Sequence, residues 1–577
     1  MANNLCMRLL LLTLALAGCS KSSDSGPAVG LAQPPAIAAA VARTMAHLPN
    51  STAAWARGAQ LFDGLGGAPR TITTSSADAQ RYFDQGMSLM WGFNHDEATR
   101  SFAKAAEFDP HCAACYWGVS FTVGPNYNLL FLSAERATIA FEALHLAEAN
   151  AAAASPVERA LIAALGKRYP SPQPLDSTSE LPVLTAYAAA MKQVASDYPD
   201  DLDVATLYAE SLMDLHAWKL WSSDGQPAPG TLEVVATLEA VLKRNPLHVG
   251  ANHYYVHAIE ASPHPEKALV SAGRLDSLVP AAGHLVHMPA HILERLGRYE
   301  DAAEANRRAS RADDAYTAKA QPPDYYPLMY TAHNHQFRAY ATAMEGRRAE
   351  TIEAVDASRN TVTDAMLKEM PGSDWYVAEL YTARVRFGLW DELLALPAPS
   401  TKLPGLVTGH LFGRTVALAA TGRIAEARQS LAAFKAFAAA VATDAGAGQN
   451  TLKDVLAIAV PVAEARIANA ELDTTAEIAL LRQAIVAEDR LADDEPKNWF
   501  YPARHILGAA LLKSGAAPEA ERVYRDDLRL SPANGWALHG LATALRAEGK
   551  QSETAATERA LKAAWAHADV DLSSSVF

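Results

Sequence analysis

The pattern H-x-x-x-H-x-x-E occurs twice, 34 residues apart, first as His253, His257 and Glu260 and then as His287, His291 and Glu294. That spacing constrains the fold more than any other feature of the chain. A period of 34 residues is the length of a unit of two antiparallel helices, and such units bury their apolar faces by stacking on one another. On a helix, positions i, i+4 and i+7 share one face. Each copy is therefore a His-His-Glu stripe, and the period sets the two stripes on equivalent faces of neighbouring helices. The same frame recurs in small and apolar residues. Tyr82, Gly86, Leu89, Ala98, Phe102, Ala105 and Pro110 form the first clear unit; Val256, Ile259, Ala268, Ala272, Leu275 and Pro280 form another. Gly508, Leu511, Gly515, Ala520, Tyr524 and Pro532 form a late one, followed by Ala542, Leu545, Gly549 and Leu561. Weaker copies surround Gly346, Gly388 and Gly422.

Counted from position 4, the residues of the first unit fall at 4, 8, 11, 20, 24, 27 and 32. That order resembles the tetratricopeptide repeat, and the resemblance runs from about Ala77 to Trp565. It implies an all-α fold, a tetratricopeptide-like α-solenoid of about ten or eleven helical pairs wound into a right-handed superhelix. Small residues such as Gly86 and Ala98 sit where paired helices cross, Phe102 and Leu89 fill the space beside the crossing, and Pro110 stops the second helix. Pro- and Gly-rich stretches at Tyr169 to Pro182, Ser222 to Gly230, Ala320 to Tyr326 and Thr443 to Gln449 read as loops between helices. The divisions expected are a leader (1–19), a tether with N-terminal helices (20–75), the solenoid (76–565) and a C-terminal tail (566–577). No second domain is expected.

In tetratricopeptide proteins the inner wall is built from repeat positions 2, 5, 9, 12 and 13 of each first helix. By resemblance His253, His257 and Glu260 take positions 5, 9 and 12 of one unit. His284, His287, His291 and Glu294 take 2, 5, 9 and 12 of the next. Imidazole suits zinc, copper, iron and nickel, and an added carboxylate leans towards iron or zinc. The two stripes are therefore read as a ligand set for one or two transition-metal ions (Fe, Cu or Zn), with His284 and His333 as further ligands or acid–base groups and candidate catalytic residues. Pro289 falls between His287 and His291 and disrupts the helix beside the ligands. In the same frame Phe83, Met87, Trp117 and Phe121 line an aromatic early groove and Glu210 lies on its wall, an arrangement suited to an organic ligand. His335 faces inward, and His505 and His539 lie too far along the solenoid to join the centre. A groove that binds a peptide or water through its histidines is the plainer alternative.

Other functions find no support in the residues. The net charge is −14 with no basic run, which argues against nucleic acid as partner. There is no phosphate-binding loop, hence no nucleotide cofactor, no G-x-S-x-G elbow and no H-E-x-x-H helix. Arg8, the apolar run Leu9 to Ala17 and then Leu16-Ala17-Gly18-Cys19 resemble a bacterial lipoprotein signal, which implies cleavage before Cys19 and its lipidation. Ser20 and Lys21 favour, by the same resemblance, the outer membrane facing the periplasm. Cys112 and Cys115 read first as a local disulfide, with buried thiols or a copper ligand pair as the other readings. The run Asp493-Asp494-Glu495-Pro496, with Trp499, Tyr501 and Arg504, reads as a solvated loop. Two functions are carried forward. One is an envelope-anchored repeat protein holding one or two metal ions, as an oxidoreductase or hydrolase; the other is a non-enzymatic scaffold that grips a protein or peptide in an envelope assembly.

Overall fold

Helix α1 (Ala77–Trp91) starts where the Ser76 hydroxyl accepts a hydrogen bond from the Ala79 N–H, and helix α2 (His95–Phe108) starts where Asn94 does the same for Glu97. The two form the first pair. The Phe102 ring fills its crossing so closely that a Cβ on Gly86 would come within 2.6 Å of it, and one on Gly118 of the next helix within 2.5 Å. One aromatic ring thus locks three successive helices, and glycine is required on both sides of it. The computed structural model describes residues 49–66, 69–130, 132–175, 179–320 and 326–577. Within them the chain is a succession of antiparallel helical pairs, interrupted by one short hairpin that pairs Gly446–Ala447 with Asn450–Thr451. The fold is an α-solenoid of tetratricopeptide-like pairs. No helix among the described residues is long and apolar enough to cross a membrane. The leader, Cys19 and the helix expected over Pro35 to Ala46 lie outside the described residues.

The helices that position the site come from the middle of the chain. Helix α3 (Val249–Glu260) is followed by α4 (Gly283–His287) and α5 (Pro289–Arg295), then by α6 (Tyr299–Lys319) and α7 (Ala332–Met344). Pro289 divides α4 from α5, as its missing N–H predicts. Gly283 lets α4 lie directly on α6, since a Cβ there would fall 1.8 Å from the Asp313 carboxylate. Asp313 in turn accepts from the Tyr326 hydroxyl (2.9 Å) and the Asn334 amide (2.8 Å), tying α7 to α6.

The solenoid does not stay open. Its early turn closes on the centre where His253 meets the Trp91 carbonyl and the Tyr330 hydroxyl donates to the Phe93 carbonyl at 2.9 Å. Its last turn closes from the other side: the Trp536 indole donates to the Ala343 carbonyl at 2.7 Å, and Asp569 accepts from the first N–H groups of the helix Arg348–Thr361. Residues 566–577 are docked, with Ser575 buried and hydrogen-bonded to Tyr524 at 2.7 Å. The stretch before α1 is also packed down. Its helix is short, Thr52–Ala56, and Arg70 bridges Asp201 and Asp203 at 2.8 Å each. The described part of the expected tether is therefore part of the body.

This packing corrects two expectations and bears out a third. Phe83, Met87, Trp117 and Phe121 are core residues, none more than 3% exposed, so they do not line an open groove. Phe83 packs on Phe102 and Trp117 on Phe121, and the Arg168 guanidinium lies 5.3 Å from Phe121 and 5.1 Å from Tyr187, paired with Asp214 at 3.0 Å. Glu210 is buried beside Asp214 and Arg168, where burial pushes its carboxyl well up, and it faces no groove. Cys112 and Cys115 are joined as a buried disulfide at the start of the helix Ala113–Thr122.

Replacing Phe102 by Ala removes the ring shared by three helices and is expected to cost about 3–5 kcal/mol. The exposed Leu232→Ala, by contrast, should change stability by less than about 0.5 kcal/mol. Urea unfolding of the two variants beside the parent chain checks this.

Candidate metal centre

Six histidines from four helices converge in two adjoining groups. His253 and His257 (α3) join His284 (α4); His287 (α4) and His291 (α5) join His333 (α7). Within each group the nearest ring nitrogens all lie within 4.8 Å of one another. The groups touch through His257 and His291, whose ring centres are 5.5 Å apart, and through His284 and His287 at 5.9 Å. His253, His257, His284, His287 and His291 are buried, and His333 is partly exposed.

Three of the rings are aimed by a partner behind them. His253 donates from Nδ1 to the Trp91 carbonyl at 2.6 Å. His257 donates from Nδ1 to Glu260 Oε1 at 2.8 Å. His287 donates from Nδ1 to Asn306 Oδ1 at 2.7 Å, and Asn306 is itself oriented by donating to the Ala302 carbonyl at 2.9 Å. In all three the outer nitrogen carries the proton, so Nε2 presents its lone pair to the interior. Outer partners of this kind fix the tautomer of metal-ligating histidines. The His257 Nε2 is buried with no hydrogen-bond partner. His253 and His284 face each other Nε2 to Nε2 at 3.1 Å, and His287 and His291 do so at 2.7 Å. Two lone pairs cannot hold such separations unless a proton or another cation lies between them.

His291 carries that proton in the metal-free protein. Its Nδ1 sits 2.7 Å from both Glu260 Oε2 and Glu495 Oε2. Burial alone would lower its pKa, but the two carboxylates outweigh burial and raise it to about 10. The neighbouring rings are kept neutral: burial, reinforced by the His291 charge, lowers His257 and His333 to about 3. Burial and the surrounding rings also hold His253, His284 and His287 well below the ordinary range. Glu260 joins the two stripes, one carboxylate oxygen to each helix.

Glu495 takes the place expected for Glu294. Glu294 is buried, with Oε1 lacking a partner, and belongs to neither imidazole group nor to the carboxylate set of Glu260, His291 and Glu495. Helix α5 is a single short segment that faces His291 inward, and the Glu294 carboxyl is pushed well up by burial, with the His291, Glu495, Arg295 and Glu379 charges acting on it. The segment expected to be a solvated loop is instead buried: Asp494, Glu495, Trp499 and Tyr501 are all at most 7% exposed. Asp494 accepts from the Asn498 amide at 2.7 Å and the Gln449 N–H at 3.0 Å, and Trp499 stacks on Trp375, which together press Glu495 onto His291. The acidic run was visible in the sequence, but no periodic signal joins it to histidines some two hundred residues earlier. His505 lies outside the centre, paired with Asp527 at 2.8 Å, and neither His335 nor His539 joins either group.

Two aromatic residues hold His257 from outside. Phe93 lies 4.5 Å from His253 and 5.8 Å from His257; Trp218 lies 6.1 Å from His257. Both have left-handed backbones, with φ of 56° and 61°. A bulky residue in that region costs on the order of 1–3 kcal/mol, and such strain gathers at functional sites. A cavity of about 190 Å³ opens over His257, His284, His291 and His333. A second, of about 300 Å³, shares the His284 and Tyr330 wall.

No protein-family profile matches the chain, and no curated protein does. Solved structures with a similar helical architecture include the human IFIT1 dimer with PPP-AAAA, at 11% identity and a TM-score of 0.31, covering 93% of this chain and 96% of that one. The yeast Tom70 structure matches at 11% identity and a TM-score of 0.29, covering 83% and 90%. The APC/C hetero-tetramer Cut9–Hcn1 matches at 13% identity and a TM-score of 0.30, covering 87% and 79%. The likeness is loose, and the repeat architecture stands on the chain's own helical pairs.

The neutral rings predict acid sensitivity in chelator-treated protein. His257 and His333 titrate near 3 when folded and near their ordinary 6.5 when unfolded. Below the ordinary value the unfolded chain therefore takes up protons first, and stability falls as pH drops towards 3. At about pH 5 each ring should subtract about 2 kcal/mol relative to about pH 7.5. His291 acts oppositely: its contribution is complete below its ordinary 6.5 and is lost as pH rises through 10. Urea midpoints across this range that stayed level would contradict the neutral cluster.

Proposed function

We propose that the chain is a lipid-anchored helical-repeat protein of the bacterial envelope whose centre holds two transition-metal ions and performs metal-dependent chemistry on a small molecule. The observation that carries this is the convergence of two three-imidazole groups, in which the lone pairs of His253, His257 and His287 are aimed inward by Trp91, Glu260 and Asn306. Three neutral imidazoles form a ligand set for zinc or copper and leave a position for water or substrate. Two such sets side by side suit a two-metal centre, in which metals activate water or an oxidant between them. The chain's own part is to hold His253, His257 and His287 in one tautomer, to keep every ring but His291 neutral through burial, and to screen the centre with Phe93 and Trp218. Glu260 and Glu495 serve as acceptors behind His257 and His291, where they would raise the basicity of the ligands to a bound metal.

The second reading is a non-catalytic scaffold that grips a protein or peptide, the ordinary use of stacked helical pairs. It is favoured by the repeat architecture and by the resemblance to assemblies such as Cut9–Hcn1 in fold. The filled early groove leaves such a partner the outer faces or the later repeats.

Metal analysis of purified mature protein separates the two. About two ions per chain are expected, falling in His257→Ala and His291→Ala. Zinc would point to hydrolysis and copper or iron to oxidation. Glu495→Gln should weaken metal affinity about 10–100-fold, while Glu294→Gln leaves it unchanged. Folded, metal-free protein that captures a partner supports the scaffold instead. Separately, Cys19→Ser should move the protein from the membrane fraction to the soluble one.

A further inference from the structure

We infer that the cavity above the imidazole groups is a binding site for a single neutral aromatic ring carrying a hydrogen-bond donor, the phenol class. This names the small molecule of the reading above and rests on that reading for its purpose, though its evidence is the cavity itself.

Size comes first. The cavity holds about 190 Å³, and an enclosed apolar space of about 150 Å³ accepts benzene. There is room for one ring with a small substituent. The walls are aromatic. Tyr127 and Trp218 are stacked 5.6 Å apart and both abut His257, Tyr127 at 5.3 Å. Tyr330 closes the other side, edge-on to His284 at 5.3 Å. Leu328 and Met329 complete an apolar rim. Offset and edge-to-face packing against such rings favours an aromatic occupant over an aliphatic one.

Polarity comes next. Beside Glu495 Oε2, which faces the His291 cation, two buried acceptors on the cavity lining have neither a hydrogen-bond partner nor a paired cation: Asn128 Oδ1 and His257 Nε2. Because His257 donates from Nδ1 to Glu260, its Nε2 can only accept a proton or bind a cation. A buried acceptor left unpaired is unfavourable, so the occupant should bring a donor. Charge decides the protonation state. Asp494 and Glu495 line the cavity together with Lys219 and the protonated His291, so the two signs are close to balanced there and a neutral occupant needs no counter-ion.

Backbone strain is the independent sign of a built site. Among the described residues four non-glycine positions have left-handed φ, and the two aromatic ones, Phe93 and Trp218, both contact His257. Phe93, Leu472 and Ala533 lie in turns between consecutive helices, whereas Trp218 follows the short helix Asp214–His216. The strained Trp218 is held as one face of the slot.

The test is calorimetric titration of the full mature chain, as purified and after chelation, with phenol, toluene, cyclohexanol and benzoate. Phenol should bind tightest. Toluene lacks the donor, cyclohexanol lacks the ring and benzoate carries the charge, and each should bind at least about tenfold more weakly, a difference of about 1.4 kcal/mol. Trp218→Ala should weaken phenol by about tenfold or more, and Asn128→Leu should erase the preference for phenol over toluene. Should Trp218→Ala lose its helical circular dichroism, Tyr127→Leu takes its place. Equal binding of phenol and cyclohexanol, a preference for benzoate, or unchanged phenol affinity in folded variants overturns the inference. Phenol binding by protein without metal keeps this site and removes the metal reading. Metal-loaded protein indifferent to phenol does the reverse.

Discussion

The Glu260 carboxylate holds the centre of this protein together. One oxygen accepts a hydrogen bond from His257 Nδ1 at 2.8 Å and the other faces His291 Nδ1 at 2.7 Å, so a single side chain fastens two helices of adjacent repeats in one register. Everything inward of that clasp follows. His257 is left with its Nε2 lone pair facing inside, and His291 becomes the one cation among neutral rings. Glu495, arriving from far along the chain, finds a positive charge to approach. Each of these groups is buried, where an unpaired charge is costly and a paired one is held firmly.

Burial here is produced by closure of the solenoid on itself. A stack of helical pairs with free ends would leave a wet groove, in which histidines titrate normally and exchange partners with water. Two closures prevent this. The early repeats supply the Trp91 carbonyl and the Phe93 ring; the late repeats supply Glu495 and its supports, Asn498 and Trp499. The rings are thereby held in tautomers that water would not maintain, and the cavity beside them is bounded by aromatic faces. The strain at Phe93 and Trp218 is sustained by the same closure, since both residues are fixed by contacts from separate repeats.

Several parts of this arrangement were legible before any coordinates. Gly86, Phe102 and Pro110 state their roles through size and φ preference, and the structure seats them accordingly. The stripe His253, His257, Glu260 and the pair His287, His291 were readable because they lie on one helical face at the repeat period. Pro289 marked the break between α4 and α5. Glu294 was misread because the i+7 rule describes a continuous helix, and the break at Pro289 alters which side chains share a direction. The aromatic residues at Phe83, Met87, Trp117 and Phe121 were assigned to a groove by family frame alone; nothing in their spacing announces that Phe83 packs on Phe102 and Trp117 on Phe121.

Local periodicity in the chain settles its helices, their pairing and the face on which each histidine sits, because those depend on neighbours within one or two turns. It also settles that imidazole and carboxylate recur together at one repeat interval. The ligand geometry belongs to a different level. Which nitrogen of each ring is free depends on a carbonyl at Trp91, an amide at Asn306 and a carboxylate at Glu495, all remote in sequence and brought near only when the superhelix closes. Hydrogen-bond direction and burial are properties of that closure, so the chemistry of the centre is decided by the tertiary fold.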